Sequence, residues 1–200
     1  MHPENPECEQ DRAEDLLDNW RKYGYVVFPQ QRAIYRQIGE RIRGQMVLEA
    51  GCGSGNGTAM LHRFAPNITG TDKRSGNVAF ARALYPWITF NEWDMSNPWT
   101  EGYFSAVVCV EVLEHVADPR AALRNLIGAA TREVWLSTPN GMGKPRPPEN
   151  PFHVCEYTVA EMRAMIADAG GKAVEMLSWE SFLPLSDDTD VDPLVYRIVL

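Results

Sequence analysis

Met46-Val47-Leu48-Glu49-Ala50-Gly51-Cys52-Gly53-Ser54-Gly55-Asn56-Gly57 carries the strongest structural signal in the chain. Met46–Ala50 reads as a strand, and glycines follow at 51, 53, 55 and 57. Glycine admits backbone conformations closed to other residues and lets a ligand come close to the chain. From about Gly57 to Phe64 the sequence reads as a helix. Strand, glycine turn and helix in that order form the unit that holds nucleotide-like ligands in doubly wound sheets.

Downstream the same alternation repeats. Asn67–Thr71 predicts a second strand, with Gly76–Leu84 a helix after it, and Ile88–Trp93 a third strand. Phe104–Val110 is a continuous apolar run, as a strand buried on both faces requires. Asp118-Pro119 supplies an N-cap and a first-turn proline for a helix to about Ala129, and Glu133–Ser137 is a fifth strand. Thr158 and Glu161 have capping-box spacing at the head of a helix over Thr158–Ala169, which Gly170-Gly171 ends. Strands over Ala173–Trp179 and Leu194–Leu200 close the chain. The expectation is one α/β domain with a Rossmann-like, doubly wound, seven-stranded and mostly parallel sheet, helices covering both faces.

Upstream, residues 1–13 are polar and rich in Pro and Glu. Leu16, Leu17, Trp20 and Tyr23 give Ala13–Tyr23 a helical apolar face, and Ile34, Ile38 and Ile42 do the same for residues 31–43. The chain therefore divides into an N-terminal helical lid segment, 1–45, and a ligand-binding domain, 46–200. Tyr23, Tyr25 and Phe28 could form an aromatic lid over the ligand or pack the N-terminal helices together.

The chain has 200 residues, 44% of them hydrophobic, which suits one domain with a full core. No apolar run approaches the roughly eighteen residues needed to span a bilayer. The acidic start, Met1-His2-Pro3-Glu4, does not read as a secretory signal. The four cysteines are scattered, without metal-site or redox spacing, as expected of reduced thiols in a cytoplasmic protein. A net charge of −8 argues against nucleic acid as a partner, since a phosphate backbone needs clustered Lys and Arg. Lys144 with Arg146 is the one basic pair on a loop. Small-molecule or protein substrates are favoured, and the sequence carries no signal for an oligomeric state.

The E-x-G-x-G-x-G pattern at Glu49, Gly51, Gly53 and Gly55 resembles motif I of class I S-adenosylmethionine-dependent methyltransferases. The dinucleotide pattern G-x-G-x-x-G is absent, because position 56 is Asn, which disfavours a nicotinamide dehydrogenase. The resemblance implies S-adenosyl-L-methionine as cofactor, cradled by Gly51, Cys52, Gly53 and Gly55. Glu49 would set a carboxylate near its positive groups. Asp72, with Lys73 beside it, stands where the family's acid accepts the ribose hydroxyls. Asp94 and Met95 stand where the family holds the adenine, and Val110 and Glu111 complete the cofactor side of the crevice. Asp94 also reads as a helix cap or a solvated loop acid.

Val110-Glu111-Val112-Leu113-Glu114-His115-Val116 follows the fourth strand, whose C-terminal end faces the crevice. On a helical turn, Glu111, Glu114 and His115 would share one face. With His153 downstream, this E-x-x-E-H set resembles two methyltransferase branches. One comprises the ubiquinone-pathway O-methyltransferases, of the type 11 and 23 methyltransferase group; the other, enzymes that methylate the 2′-hydroxyl at small-RNA 3′ ends. In the latter, two Glu and two His hold a divalent ion. The implied ligands here are Glu111, Glu114, His115 and His153, with Mg²⁺, Mn²⁺, Fe²⁺ or Zn²⁺ as the ion. Alternatively, His115 or His153 acts without metal as a catalytic base. A blander reading also stands, since E-V-L-E-H-V occurs in relatives without an established metal, where it caps a helix or touches the cofactor.

Residues 150–158, N-P-F-H-V-C-E-Y-T, resemble a segment of small-molecule methyltransferases, with Cys155 where those relatives often carry Arg. The expected reaction is methyl transfer to a hydroxyl oxygen of a small metabolite. The alternatives are a metal-free N- or C-methyltransferase and a non-catalytic module that binds S-adenosylmethionine.

Overall fold

A computed structural model describes residues 29–200. The helix expected over Ala13–Tyr23, and the residues Tyr23, Tyr25 and Phe28, lie outside the described residues. The described chain opens with α1, Pro29–Arg41. There follow β1 (Val47–Ala50), α2 (Asn56–His62), β2 (Ile68–Asp72), α3 (Ser75–Leu84), β3 (Thr89–Glu92) and β4 (Phe104–Val110). The second half holds α4 (Pro119–Ala129), β5 (Ala130–Thr138), α5 (Val159–Asp168), β6 (Ala173–Ser178) and β7 (Leu194–Val199).

The seven strands form one sheet in the order β3-β2-β1-β4-β5-β7-β6. β1 pairs in parallel with β2 and β4, as do β2 with β3 and β4 with β5. β7 runs antiparallel between β5 and β6. Strand order reverses between β1 and β4, which opens a crevice at their C-terminal ends. This is the expected Rossmann-like sheet.

Every residue of β1 is buried, because both faces and both edges are covered. On one face Ile34, Ile38, Leu61 and Val78 pack against Val47, Val108 and Trp135. On the other, Leu123, Leu126, Met162 and Ile166 pack against Leu48, Val107 and Leu136. Each such side chain contributes roughly 1.5–3 kcal/mol through burial. α1, expected as part of a lid, thus inserts its apolar stripe into the core of the sheet.

Local signals set the helix ends. Asp118 Oδ1 accepts from Ala121 N at 2.9 Å, and Pro119 occupies the first turn of α4. Thr158 and Glu161 form the reciprocal capping box of α5. β5 begins at Ala130, directly after α4, three residues earlier than expected, because Phe104 pairs with Ala130 before the register shifts. The helical turn expected over 111–115 is only a 3₁₀ turn, Leu113–His115. Glu111 precedes it in the left-handed region, at φ 55°.

Candidate functional site

The β1–α2 loop curls through three left-handed glycines, Gly51 (φ 77°), Gly53 (φ 54°) and Gly55 (φ 81°). Two of them are also hemmed in: a Cβ on Gly51 would lie 2.6 Å from Val112 Cγ2, and one on Gly55 2.8 Å from Phe90 Cζ. At Gly53 a Cβ would meet nothing within 4 Å. The loop is thus packed at its two ends and open at its crest.

Asp72, at the end of β2, holds that crest. Its Oδ2 accepts from Gly53 N at 2.9 Å, while Oδ1 accepts from Arg74 N (2.9 Å) and Asn77 Nδ2 (3.2 Å). The neighbouring Lys73 is exposed. Gly51 N and Cys52 N both donate to Thr71 O at 2.8 Å, which fixes the loop to β2. Cys52 is buried, and burial pushes its thiol well above the ordinary range, so it is a packing residue.

Glu49 takes a different position from the one its motif suggests. It is 1% exposed and faces the protein interior. Tyr35 Oη donates to its Oε1 at 2.7 Å, and the Thr58 hydroxyl donates to its Oε2. Burial pushes its carboxyl up to about 7, against the pull of those two donors. Glu49 therefore ties α1 and α2 to the base of the loop. Asp94, after β3, is exposed and accepts from Ser96 N at 2.9 Å through Oδ1. Met95 is buried beside it, and its carbonyl accepts from Asn125 Nδ2 at 2.9 Å.

Across the crevice, Val110 ends β4 and Glu111 turns sharply away from it. Glu111 Oε1 accepts from Ser137 Oγ at 2.7 Å, and burial raises its carboxyl to about 7. Glu114 is 1% exposed, with Thr138 Oγ1 donating to its Oε2 at 3.2 Å. Burial, reinforced by the nearby Glu111 charge, raises it to about 8.

The structure brings together three of the four expected ligands. Glu114, His115 and His153 each offer a ligand atom within 4.8 Å of the others. Glu111 stands outside that group, since its left-handed backbone breaks the helical register that would align it. The two imidazoles meet edge to face, with centroids 4.9 Å apart. His115 Nδ1 lies 2.8 Å from Phe152 O, and its Nε2 lies 3.8 Å from Glu114 Oε1.

Beside this cluster opens a cavity of about 620 Å³, whose lining includes Glu111, Lys144, Asn150, His153, Glu156 and Asp192. His153 Nδ1 is 2.7 Å from Glu156 Oε1, and its Nε2 is 2.9 Å from Asn150 Nδ2. Lys144 Nζ bridges Glu156 Oε2 (2.9 Å) and Asp192 Oδ2 (2.7 Å). Arg146 pairs instead with Glu161, so the two cations read as one basic patch are each engaged with acids of the chain itself. Glu156 and Asp192 were not anticipated. Glu156 lies in the quoted 150–158 segment three residues after His153, but loop spacing carries no periodicity that would pair them. Asp192 is brought in only by the turn before β7.

Two of these parts are joined. Val112 packs on Gly51 of the loop, while its neighbour Glu111 lines the cavity. The Glu111-Val112 segment thus connects the loop to the cavity wall.

Comparison with known proteins fits this geometry. Residues 48–134 match the methyltransferase domain family. That span runs from within β1 to the middle of β5 and contains the loop, Asp72, Asp94, Glu111, Glu114 and His115. A probable S-adenosylmethionine-dependent methyltransferase of Mycolicibacterium smegmatis is 30% identical over 157 residues, covering 75% of this chain and 61% of that protein. A ubiquinone biosynthesis O-methyltransferase of Colwellia psychrerythraea is 36% identical over 87 residues, 39% of this chain and 34% of that protein. The chain thus spans about three fifths of the M. smegmatis relative. A TehB-like S-adenosylmethionine-dependent methyltransferase from Corynebacterium glutamicum superposes with a TM-score of 0.72 at 19% identity, covering 94% of this chain and 98% of that structure. The chain has the Rossmann-like methyltransferase fold. Among the described residues, no helix is long and apolar enough to cross a membrane.

Proposed function

We propose that this chain is an S-adenosylmethionine-dependent methyltransferase that moves the sulfonium methyl to a hydroxyl oxygen of a small molecule. In this reading residues 46–200 bind the donor, while α1, the described part of residues 1–45, belongs to the core of the sheet and not to a lid. The observation that carries it is the loop crest at Gly53, open to a ligand and braced by Asp72, on a loop whose Gly51 packs on Val112 beside Glu111 of a polar cavity that contains an imidazole. Asp72 would accept the ribose hydroxyls, Asp94 and Met95 would meet the adenine, and the cavity would take the acceptor. Lys73 would flank the ribose, with Val110 and Glu111 on the opposite wall.

When bound, the donor supplies an electrophilic methyl carbon on a positive sulfur. The acceptor hydroxyl gives its proton to His153 Nε2 as its oxygen forms the new C–O bond. The methyl would pass from sulfur to that oxygen, with the C–S electron pair staying on sulfur, to give a methyl ether and a neutral thioether. Much of the acceleration comes from holding oxygen, methyl and sulfur in line. His115, edge-on to His153, confines the ring that takes the proton.

A divalent ion would suit the same cluster. One carboxylate and two imidazoles converging within 4.8 Å form a donor set for Mn²⁺, Fe²⁺ or Zn²⁺ more than for Mg²⁺. Glu114, His115 and His153 would hold it, with His153 then a ligand in place of the proton acceptor and Glu111 reserved for Ser137. Bound there, a cation lowers the pKa of a hydroxyl as it does that of water.

Unpaired thiols at Cys52, Cys109 and Cys155 support a reducing compartment, the cytoplasm. The test is a panel of phenols, catechols and neutral glycosides incubated with methyl-labelled donor, with products read by mass spectrometry. The expected product is a methyl ether. Label found only on nitrogen or carbon acceptors would contradict the oxygen assignment.

A further inference from the structure

We infer that Glu156 is a positioning residue that fixes His153 as its Nδ1–H tautomer, with Lys144 and Asp192 keeping Glu156 in place. The inference rests on His153 being the proton acceptor, a role that requires an unprotonated Nε2.

The hydrogen bonds around the ring decide its tautomer. Asn150 Oδ1 accepts from Phe152 N at 3.0 Å, so the other end of that amide is the NH₂ group. This group donates to His153 Nε2 at 2.9 Å, and a ring nitrogen that accepts a hydrogen bond carries no proton. The single proton of the neutral ring is then on Nδ1, where Glu156 Oε1 accepts it at 2.7 Å. Two contacts on opposite sides of the ring demand the same form.

Glu156 is itself locked. Its Oε2 is 2.9 Å from Lys144 Nζ, and Lys144 is also held by Asp192 Oδ2 at 2.7 Å. Asp192 in turn uses Oδ1 to accept from Asn140 N at 2.9 Å. Rotating the Glu156 carboxylate away from His153 would break its pair with Lys144. The His153 and Glu156 side chains are only 11% and 10% exposed, so little water is at hand to replace either contact. The Asn150 NH₂ also marks a place for the acceptor, since a hydroxyl that takes over its contact with Nε2 would donate the proton to be lost.

The experiment uses the full chain labelled with ¹⁵N-histidine, at a pH where the ring is neutral, and reads the His153 tautomer from two-bond ¹H–¹⁵N correlations. Wild type is expected as Nδ1–H. Asn150→Ala should keep that form, because Glu156 alone suffices. Asn150→Ala/Glu156→Leu should move most of the population to Nε2–H, and Asn150→Ala/Glu156→Gln, which retains a carbonyl acceptor, should restore Nδ1–H. An Nε2–H signal in wild type, its appearance on Asn150→Ala alone, or Nδ1–H persisting in the Leu double variant would each overturn the inference. If the Leu variant does not fold, wild type and Asn150→Ala decide alone. Calorimetry with S-adenosylhomocysteine on the same samples separates the two levels. Lost binding in wild type strikes the methyltransferase reading, whereas a wrong tautomer with binding intact strikes only the positioning role.

Discussion

Asp72 Oδ2 accepts a hydrogen bond from Gly53 N at 2.9 Å, joining the end of β2 to the open crest of the β1–α2 loop. The same carboxylate that would accept the ribose hydroxyls therefore also shapes the backbone beneath them. Asp72→Ala should weaken binding of S-adenosylhomocysteine by roughly 10- to 100-fold, as the loss of a charge-assisted hydrogen bond of about 1.5–3 kcal/mol implies. Titration calorimetry reads this directly, and unchanged affinity would remove Asp72 from the donor site.

Gly57 tests the packing beneath the loop. A Cβ there would run into the Tyr35 ring and the Glu49 carboxylate, both held by their mutual hydrogen bond. Gly57→Ala should cost about 1–3 kcal/mol of stability, the usual cost of overpacking. Chemical denaturation would show it as a lower midpoint with unchanged slope. A midpoint equal to wild type would mean that α1 and the loop are not clamped together here.

Glu49 also makes a prediction about pH. Burial raises its carboxyl from the ordinary 4.5 to about 7, so between those values the folded state binds more proton than the unfolded state. Its contribution is then fully present below pH 4.5 and is lost as pH rises through 7. Glu49→Gln cannot titrate. The stability of wild type relative to Glu49→Gln should fall as pH is raised across that window, then level off. A difference independent of pH would show that Glu49 is ionised in the folded protein throughout.

The same residue shows how far the sequence could be read. The strand–glycine–helix signal and the apolar run Phe104–Val110 were sufficient for the sheet and its crevice, because buried parallel strands leave a nearly continuous apolar record. The side on which Glu49 lies was not legible. Its burial depends on Tyr35, fourteen residues earlier, and on Thr58, nine later, meeting above the sheet. At the other wall, helical spacing grouped Glu111 with Glu114 and His115, and a single left-handed residue removes it from the group. Glu156 and Asp192 reach His153 and Lys144 only through a long loop and the turn before β7, where no local periodicity applies.

In the proposed mechanism, proton removal depends on His153. His153→Ala should lower kcat by about 10²- to 10⁴-fold, the usual range for a general base, while the KM for the donor stays close to wild type. Steady-state kinetics with an acceptor from the panel provides the check. A variant with near-normal kcat would shift the role to another group.

The proposed ion makes a separate prediction. Millimolar Mn²⁺ or Zn²⁺ should raise the melting temperature of the chelator-stripped protein, since binding at a hundred times Kd adds about 2.7 kcal/mol. For a chain of this size that is roughly 5–10 °C. His115→Ala should abolish the shift. An equal shift in that variant would move the ion elsewhere, and no shift in wild type would leave His153 to act without metal.

Titration calorimetry of the folded wild-type chain with S-adenosylhomocysteine tests the donor site most directly. Saturable binding of one molecule per chain, weakened by Asp72→Ala, is the predicted result. No heat and no saturation at millimolar ligand, with the protein shown to be folded, would contradict methyl transfer at this loop.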